Sequence, residues 1–386
     1  MFEIVPQDIE WVKKAKATIT NLYEHRDLDH IPFEFTWSDP LTLDQELKTL
    51  GRPKDEYRRF IDDEYDLKTQ LKNISDRVKA GCWDDTVLSL WPYQGVYVIA
   101  EAFGCQTIYH DNREPSAKPV IDNIRQVDKL KPNLNNSNSF KRVMTKIKYF
   151  QSVVKDKIPV SMTDLQSPID IASQIVNYSE LIYAMKDDPK RVHNLLRMIT
   201  EILIESIYEM KKVLLTDWPA SLFRWLPRGI FLSDDLLAVL SPELYNEFAV
   251  PYNEILAKEF NGLVLHSCGV YLHNIPVLLK TKGLLGINFH EFTVNDISRL
   301  VNDEIVLAIV GYFYDPYNNY SVRYKLSRDE LISRWKKDYV RVVDFFPKHR
   351  ILWWVNCLEP NKKEKVYENV LNISYSCRYK ADRGLA

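Results

Sequence analysis

Residues 262–269 read Gly-Leu-Val-Leu-His-Ser-Cys-Gly, an unbroken apolar run that turns polar at His266. Continuous rather than alternating apolarity fits a parallel strand buried on both faces. Seven further segments read the same way: 30–37, 86–91, 157–164, 229–235, 283–290, 304–312 and 350–357. Helical patterns separate them. Residues 187–214 place apolar side chains from Val192 to Met210 at a 3.6-residue period. Ser241-Pro242-Glu243 is a helix start, with Ser as cap and Pro in the first turn, and predicts a helix to about Phe260, bent at Pro251. Ser327-Arg328-Asp329-Glu330 opens another through a capping-box pattern. Strands alternating with helices in this number predict an α/β fold, a (β/α)8 TIM barrel over residues 29–386, preceded by an N-terminal helical segment in residues 1–28. Residues 112–140, rich in Pro, Asn and Ser, read as a surface excursion, and no linker marks a second domain.

Composition narrows the function. The chain has 386 residues, is 46% hydrophobic and carries a net charge of −2, so there is no basic excess to neutralise nucleic-acid phosphates. No apolar run is long enough to span a bilayer, and the N-terminus lacks the apolar core of a signal peptide. Five scattered cysteines, Cys82, Cys105, Cys268, Cys357 and Cys377, read as reduced thiols in a cytoplasmic protein. With only 11 glycines, neither G-x-G-x-x-G nor a P-loop occurs, and nucleotide cradles have no candidate.

In a barrel of this kind the chemistry sits at the C-terminal ends of the strands. Polar and aromatic residues gather at those ends here: Glu34 and Trp37, Trp91, Asp164 and Gln166, Asp234 and Asp235, His266 and Cys268, Asn288 and His290, Tyr312, and Cys357. Imidazole and thiolate are zinc ligands, and His266, Cys268 and Cys357 would leave one coordination position open, as a catalytic zinc requires. The blander alternative is a buried Cys beside a satisfied His. Ser233-Asp234-Asp235 reads either as a helix cap or as a carboxylate at the barrel mouth that bonds substrate or orients a ligand His, and Asp164 and Gln166 divide in the same way.

Taken together, four blocks resemble the uroporphyrinogen decarboxylase-like superfamily, and within it the zinc-dependent, corrinoid-linked methyltransferases. They are residues 158–200, with the third strand and the Asp188-Pro189-Lys190-Arg191-Val192-His193 helix; 231–256, with the Asp-bearing fourth strand and the Ser-Pro-Glu helix; the His-Ser-Cys-Gly strand; and 355–370, with Cys357. The resemblance implies zinc on His266, Cys268 and Cys357. It implies methylcobalamin on a partner corrinoid protein as methyl donor, and a thiol such as coenzyme M as acceptor. Asp234 and Asp164 are then expected to orient substrate or a ligand, and Trp37 and Trp91 to wall the cofactor site. The decarboxylase branch binds its polycarboxylate substrate with first-strand arginines, whereas residues 33–39 here read Phe-Glu-Phe-Thr-Trp-Ser-Asp. Porphyrinogen decarboxylation is the runner-up reading, and a non-catalytic barrel that binds a corrinoid or tetrapyrrole is a third.

Overall fold

The computed structural model describes residues 6–37, 58–81, 83–110, 114–215, 225–289, 304–313, 350–357 and 363–376. Eight strands occur among them: β1 (Phe33–Trp37), β2 (Gln106–Ile108), β3 (Ser116–Lys118), β4 (Ile230–Ser233), β5 (Leu263–Ser267), β6 (Leu284–Phe289), β7 (Val306–Phe313) and β8 (Arg350–Cys357). Apart from the antiparallel hairpin β2–β3, every strand pair recorded is parallel. The α/β class read from the apolar runs therefore holds. The expected N-terminal helix is present as Pro6–Tyr23. The chain forms two compact units, each assembled from separated stretches of sequence.

The first unit comprises Met1–Leu50, Ile74–Val87 and Leu285–Ala386. Its strands are hydrogen-bonded in the order β1, β8, β7, β6. The register sets Phe33 opposite Trp353 and Trp37 opposite Cys357. Phe33 and Phe35 point to one face with Trp353 and Val355, where Val366 and Val370 of the helix Lys363–Tyr375 cover them. Trp354 and Glu34, on the alternate positions, are buried as well. Burial on both faces is why these runs do not alternate.

His30, just before β1, carries the sharpest electrostatic feature of this unit. It is 3% exposed, with Nε2 2.9 Å from Asp85 Oδ2 and Nδ1 2.5 Å from Asp29 Oδ1. Tyr375 stacks on the ring at 4.5 Å, and Asp85 also accepts the Phe33 N–H at 3.0 Å. Burial opposes the charged ring, but the hydrogen bonds and charges of Asp85 and Asp29 together outweigh it and raise its pKa. A raised folded pKa means that stability is fully present below the unfolded value and is lost as pH rises through the folded one. His30→Gln is expected to cost about 1.5–3 kcal/mol at pH 6, the range for hydrogen bonds to charged groups. The deficit should shrink by pH 9, as urea unfolding of both proteins would measure. An equal deficit at the two pH values would show that His30 is neutral in the folded protein.

The second unit comprises Gly51–Asn73 and Leu88–Leu284. Here β4 pairs with β5, and Ser233 stands opposite His266. The expected strands 86–91 and 157–164 are extended but meet only through a single parallel bridge, Leu90 to Val160, and Gln166 bridges Ser233. Pro92 and Pro159 lack the N–H a continuous ladder would use, so the pairing stops at the Leu90 N–H to Pro159 carbonyl and Ser161 N–H to Leu90 carbonyl bonds. The helix Pro189–Val213 buries Val192, Leu195, Leu196, Ile199, Ile202, Leu203, Ile207 and Met210, as its period requires.

Two sequence expectations change in this unit. The helix expected from Pro242 to Phe260 is two helices, Pro242–Phe248 and Val250–Glu259. The break falls at Ala249, and Pro251 sits in the first turn of the second helix, where its missing N–H costs nothing. The excursion 112–140 contains regular structure: β3 and two 3-10 turns, Ile124–Lys129 and Leu134–Asn136, each capped by an Asn side chain. The helix expected after Ser327, His290, Cys82 and Cys377 lie outside the described residues.

Candidate metal centre

The ligand candidates of β5 owe their position to a dry strand. Leu263, Val264 and Leu265 are buried, His266 is half-buried, and Cys268 reaches the surface just past the strand end. His266 Nε2 lies 3.1 Å from Cys268 Sγ. An Asp235 oxygen joins them, with all three ligand atoms within 4.8 Å of one another. Asp235 is fixed from the same loop: its Oδ1 accepts the Cys268 N–H at 2.8 Å and the Ser267 hydroxyl at 3.5 Å. Zinc held by nitrogen at ~2.0–2.1 Å and sulfur at ~2.3 Å in tetrahedral geometry needs those atoms roughly 3.5 Å apart. One imidazole, one thiol and one carboxylate this close therefore fit such an ion with small side-chain adjustments. Burial first, and then the charges of Asp235, Asp164 and Asp170, push the Cys268 thiol up to about 12, so without a cation it stays protonated at neutral pH.

Gly269 has a packing reason in this loop. A Cβ there would stand well inside contact distance of Ala238 Cβ, on the short 3-10 turn Asp235–Ala238. Gly269→Ala would push the Cys268 loop away from the turn that carries Asp235. We expect it to weaken zinc binding by about 10–100-fold, the range for disturbing the groups that orient ligands. Adding Ala238→Gly should restore affinity in chelator competition, and a double variant no better than the single one would refute the packing explanation.

Beneath the loop lies a set of buried acids. Asp234 is fully buried and accepts the Tyr245 hydroxyl at 2.8 Å and Asn253 Nδ2 at 3.1 Å, while its N–H donates to the His266 carbonyl at 2.6 Å. Burial raises its carboxyl to about 6 against the lowering effect of those hydrogen bonds. Asp170 accepts the N–H groups of Asp235 and Leu236 at 2.7 and 2.8 Å, and burial and Asp234 raise it well above the carboxylate range. Asp234 thus ties β5, through its N–H, to the helices at 242 and 250, through Oδ2, and Asp235 is the one that turns toward His266 and Cys268.

Asp164 is 6% exposed, and its Oδ1, like Asp234 Oδ1, has no hydrogen-bond partner. Burial, followed by the charge of Glu114, pushes its carboxyl up to about 8. Trp91 is half-buried and stacks on Tyr93 at 4.2 Å, and Tyr93 donates to Glu114 at 2.7 Å. Trp37 and Cys357 face each other in register at the ends of β1 and β8 in the other unit, and their side chains lie outside the described part of the structure. The structure therefore brings His266 and Cys268 together. Asn288 is buried and bonds the Ala308 carbonyl of β7 at 2.8 Å. His193 faces the Tyr252 hydroxyl at 3.0 Å and stacks on Phe248, clasping two helices.

Sequence reasoning placed Asp235 at the strand end with Asp234 but did not count it among the ligand candidates, and it did not single out Asp170 or Glu114. Two adjacent aspartates at a strand end gave no way to say which one faces the loop. The 3-10 turn that starts at Asp235 decides it.

Residues 91–213 match the sequence profile of the uroporphyrinogen decarboxylase (URO-D) family. No curated protein matches the chain. Among solved structures, a methyltransferase from Methanosarcina mazei aligns over 93% of this chain and 97% of its own, with a TM-score of 0.63 and 15% identity. At that identity the likeness establishes the fold. The fold is α/β, of the (β/α)8 barrel class that the strand pattern predicts. Over nearly its whole length the chain is similar to a methyltransferase of that fold.

Proposed function

We propose that this protein is a zinc-dependent methyltransferase that moves a methyl group from methylcobalamin, carried by a partner corrinoid protein, to a small-molecule thiol. The observation that carries the reading is the approach of His266 Nε2 to Cys268 Sγ at 3.1 Å with the Asp235 carboxylate beside them. His266 and Cys268 hold the metal in this reading, and Cys357 completes the set. Asp235 keeps the Cys268 loop in place through the Cys268 N–H. Zinc supplies the Lewis acidity that lets a thiol act as a thiolate at neutral pH. The corrinoid on its partner would supply the methyl group and keep the electron pair of the broken bond, and the thiol that receives the methyl would lose its proton to solvent. Asp164 and Asp234 orient groups around the site, Asp234 through Tyr245 and Asn253. Trp91 and Trp37 exclude water.

The test is metal analysis joined to turnover. About one zinc per chain, and methylcobalamin demethylation that requires both zinc and a thiol, are expected. Turnover that survives complete zinc removal overturns the reading. The profile match over residues 91–213 favours porphyrinogen decarboxylation as the second reading. Metal-independent release of carbon dioxide from uroporphyrinogen would establish it, although residues 33–39 supply no arginine for the substrate's carboxylates.

A further inference from the structure

At the N-terminal ends of β4 and β5, away from the candidate metal centre, the second unit holds a cleft of about 580 Å³. That volume suits a small molecule. Gly262 borders the cleft just before β5, and His266 lies near the far end of that strand, so ~13 Å of extended chain separates the two sites. In a chain of net charge −2, the lining carries three cations, Arg228, Lys258 and Lys282, and one acid, Glu254. The three cations are exposed, and among the described residues none meets a carboxylate at ion-pair distance. Glu254 is already engaged, since its Oε1 accepts the Lys282 N–H at 3.0 Å. Arg228 Nη1 donates to the Asn261 carbonyl at 3.5 Å, which anchors one arm of the guanidinium and leaves the other for a ligand.

The floor of the cleft is preformed. Gly283 has φ +82°, and a Cβ there would stand 2.9 Å from Ala257 Cβ, so glycine lets this backbone seat against the helix Val250–Glu259. Asn261 takes the left-handed φ of 61°, and the Gly262 N–H donates to the Ala257 carbonyl at 2.7 Å, which closes that helix. Pro251 and Ile255 give the cleft an apolar wall, with Ile255 45% exposed. We propose that this cleft binds a small phosphate ester with an apolar body, whichever reaction the metal centre performs. A phosphate monoester carries a charge of about −1.5 to −2 at neutral pH, which matches three cations less one acid. Its oxygens accept from a guanidinium fork and from ammonium groups together, whereas a single carboxylate leaves a cation unmatched. Exposed ion pairs are individually weak, so the three cations must act as a set. The apolar body would cover Ile255, whose side chain otherwise stands in water.

Calorimetric titration of the whole chain with phenyl phosphate, inorganic phosphate, benzoate and phenol at low salt tests this. Phenyl phosphate should bind about tenfold more tightly than inorganic phosphate or benzoate, a ratio that corresponds to about 1.4 kcal/mol, and phenol should not bind. Arg228→Gln combined with Lys282→Gln should weaken phenyl phosphate at least about tenfold with the circular dichroism unchanged, and Lys258→Gln serves if that double variant does not fold. Ile255→Asn should remove the advantage of phenyl phosphate over inorganic phosphate. Zinc affinity should be the same in all of these proteins, because none of the changed residues is near a ligand candidate. An unchanged affinity in the cation variants, as for a phosphate held by the metal, overturns the inference, and so does a parent protein that binds no phenyl phosphate. Benzoate bound as tightly as phenyl phosphate overturns the assignment to phosphate, and inorganic phosphate bound as tightly overturns the role of the apolar wall. Each of these outcomes leaves the methyltransferase reading standing.

Discussion

Replacing His266 or Cys268 with alanine is expected to lower zinc affinity by at least ~100-fold and to remove methyl transfer with it. Disturbing groups that merely orient ligands already costs about 10–100-fold, and these side chains are the proposed ligands themselves. The fold should survive, because the residues that hold β5 in place are Leu263, Val264 and Leu265, upstream of the change. Asp235→Ala should weaken binding less, as its oxygen also serves the Cys268 N–H at 2.8 Å. Cys357→Ala should match Cys268→Ala if Cys357 is the third ligand. Zinc must also displace the proton that burial and neighbouring acids hold on Cys268, so affinity should rise with pH as the thiolate becomes accessible. Chelator competition at several pH values, with circular dichroism as a folding control, measures all of this. A Cys268→Ala protein that keeps parental zinc affinity would sink the site.

Asp66→Ala should be strongly destabilising, at about 3–5 kcal/mol, the cost of removing one partner of a buried ion pair, with only Asp63 at 3.8 Å left near Lys146. Lys146 is fully buried and Asp66 Oδ2 is its charged partner at 3.0 Å, while Arg59 meets Asp66 Oδ1 at 2.8 Å. Burial lowers the Lys146 pKa against the attraction of Asp66. Adding Lys146→Met should recover much of the loss, because an apolar side chain of similar length needs no partner. Urea unfolding of the two single variants and the double variant tests this, and a double variant as unstable as the sum of the singles would show that the pair is not coupled. The network also reaches the loop before the site. Asp66 Oδ1 accepts Gln70 Nε2 at 3.0 Å, and Gln70 clamps the Trp91 backbone with bonds of 2.7 and 2.9 Å. Asp66→Ala should therefore also perturb Trp91 fluorescence.

The strands at 262 and 350 and the helix at 189 were legible because their patterns follow from burial, which each residue carries in its own side chain. The same holds for the start at Ser241-Pro242, since a cap and a first-turn proline act within one turn. Reading failed where a second segment decides. Pro92 and Pro159 each look tolerable in an extended run, and it is their being neighbours that leaves one bridge in place of a ladder. Pro251 reads as a bend in a long helix, yet Ala249 already ends the first helix.

In the site, the sequence by itself determined where the candidate ligands stand, because a strand that runs dry to Leu265 ends in a loop and so presents His266 and Cys268 two residues apart. Only the tertiary structure decided the roles of the acids. Asp234 and Asp235 are adjacent in the chain, and the turn at Asp235 points one at Tyr245 and the other at Cys268. Asp164 lies about a hundred residues from either ligand candidate in the chain, and what raises its carboxyl is burial followed by the charge of Glu114, both products of packing. Hydrophobic burial is nearly additive along a sequence. The energy of a buried charge depends on what stands around it, and that is set by packing.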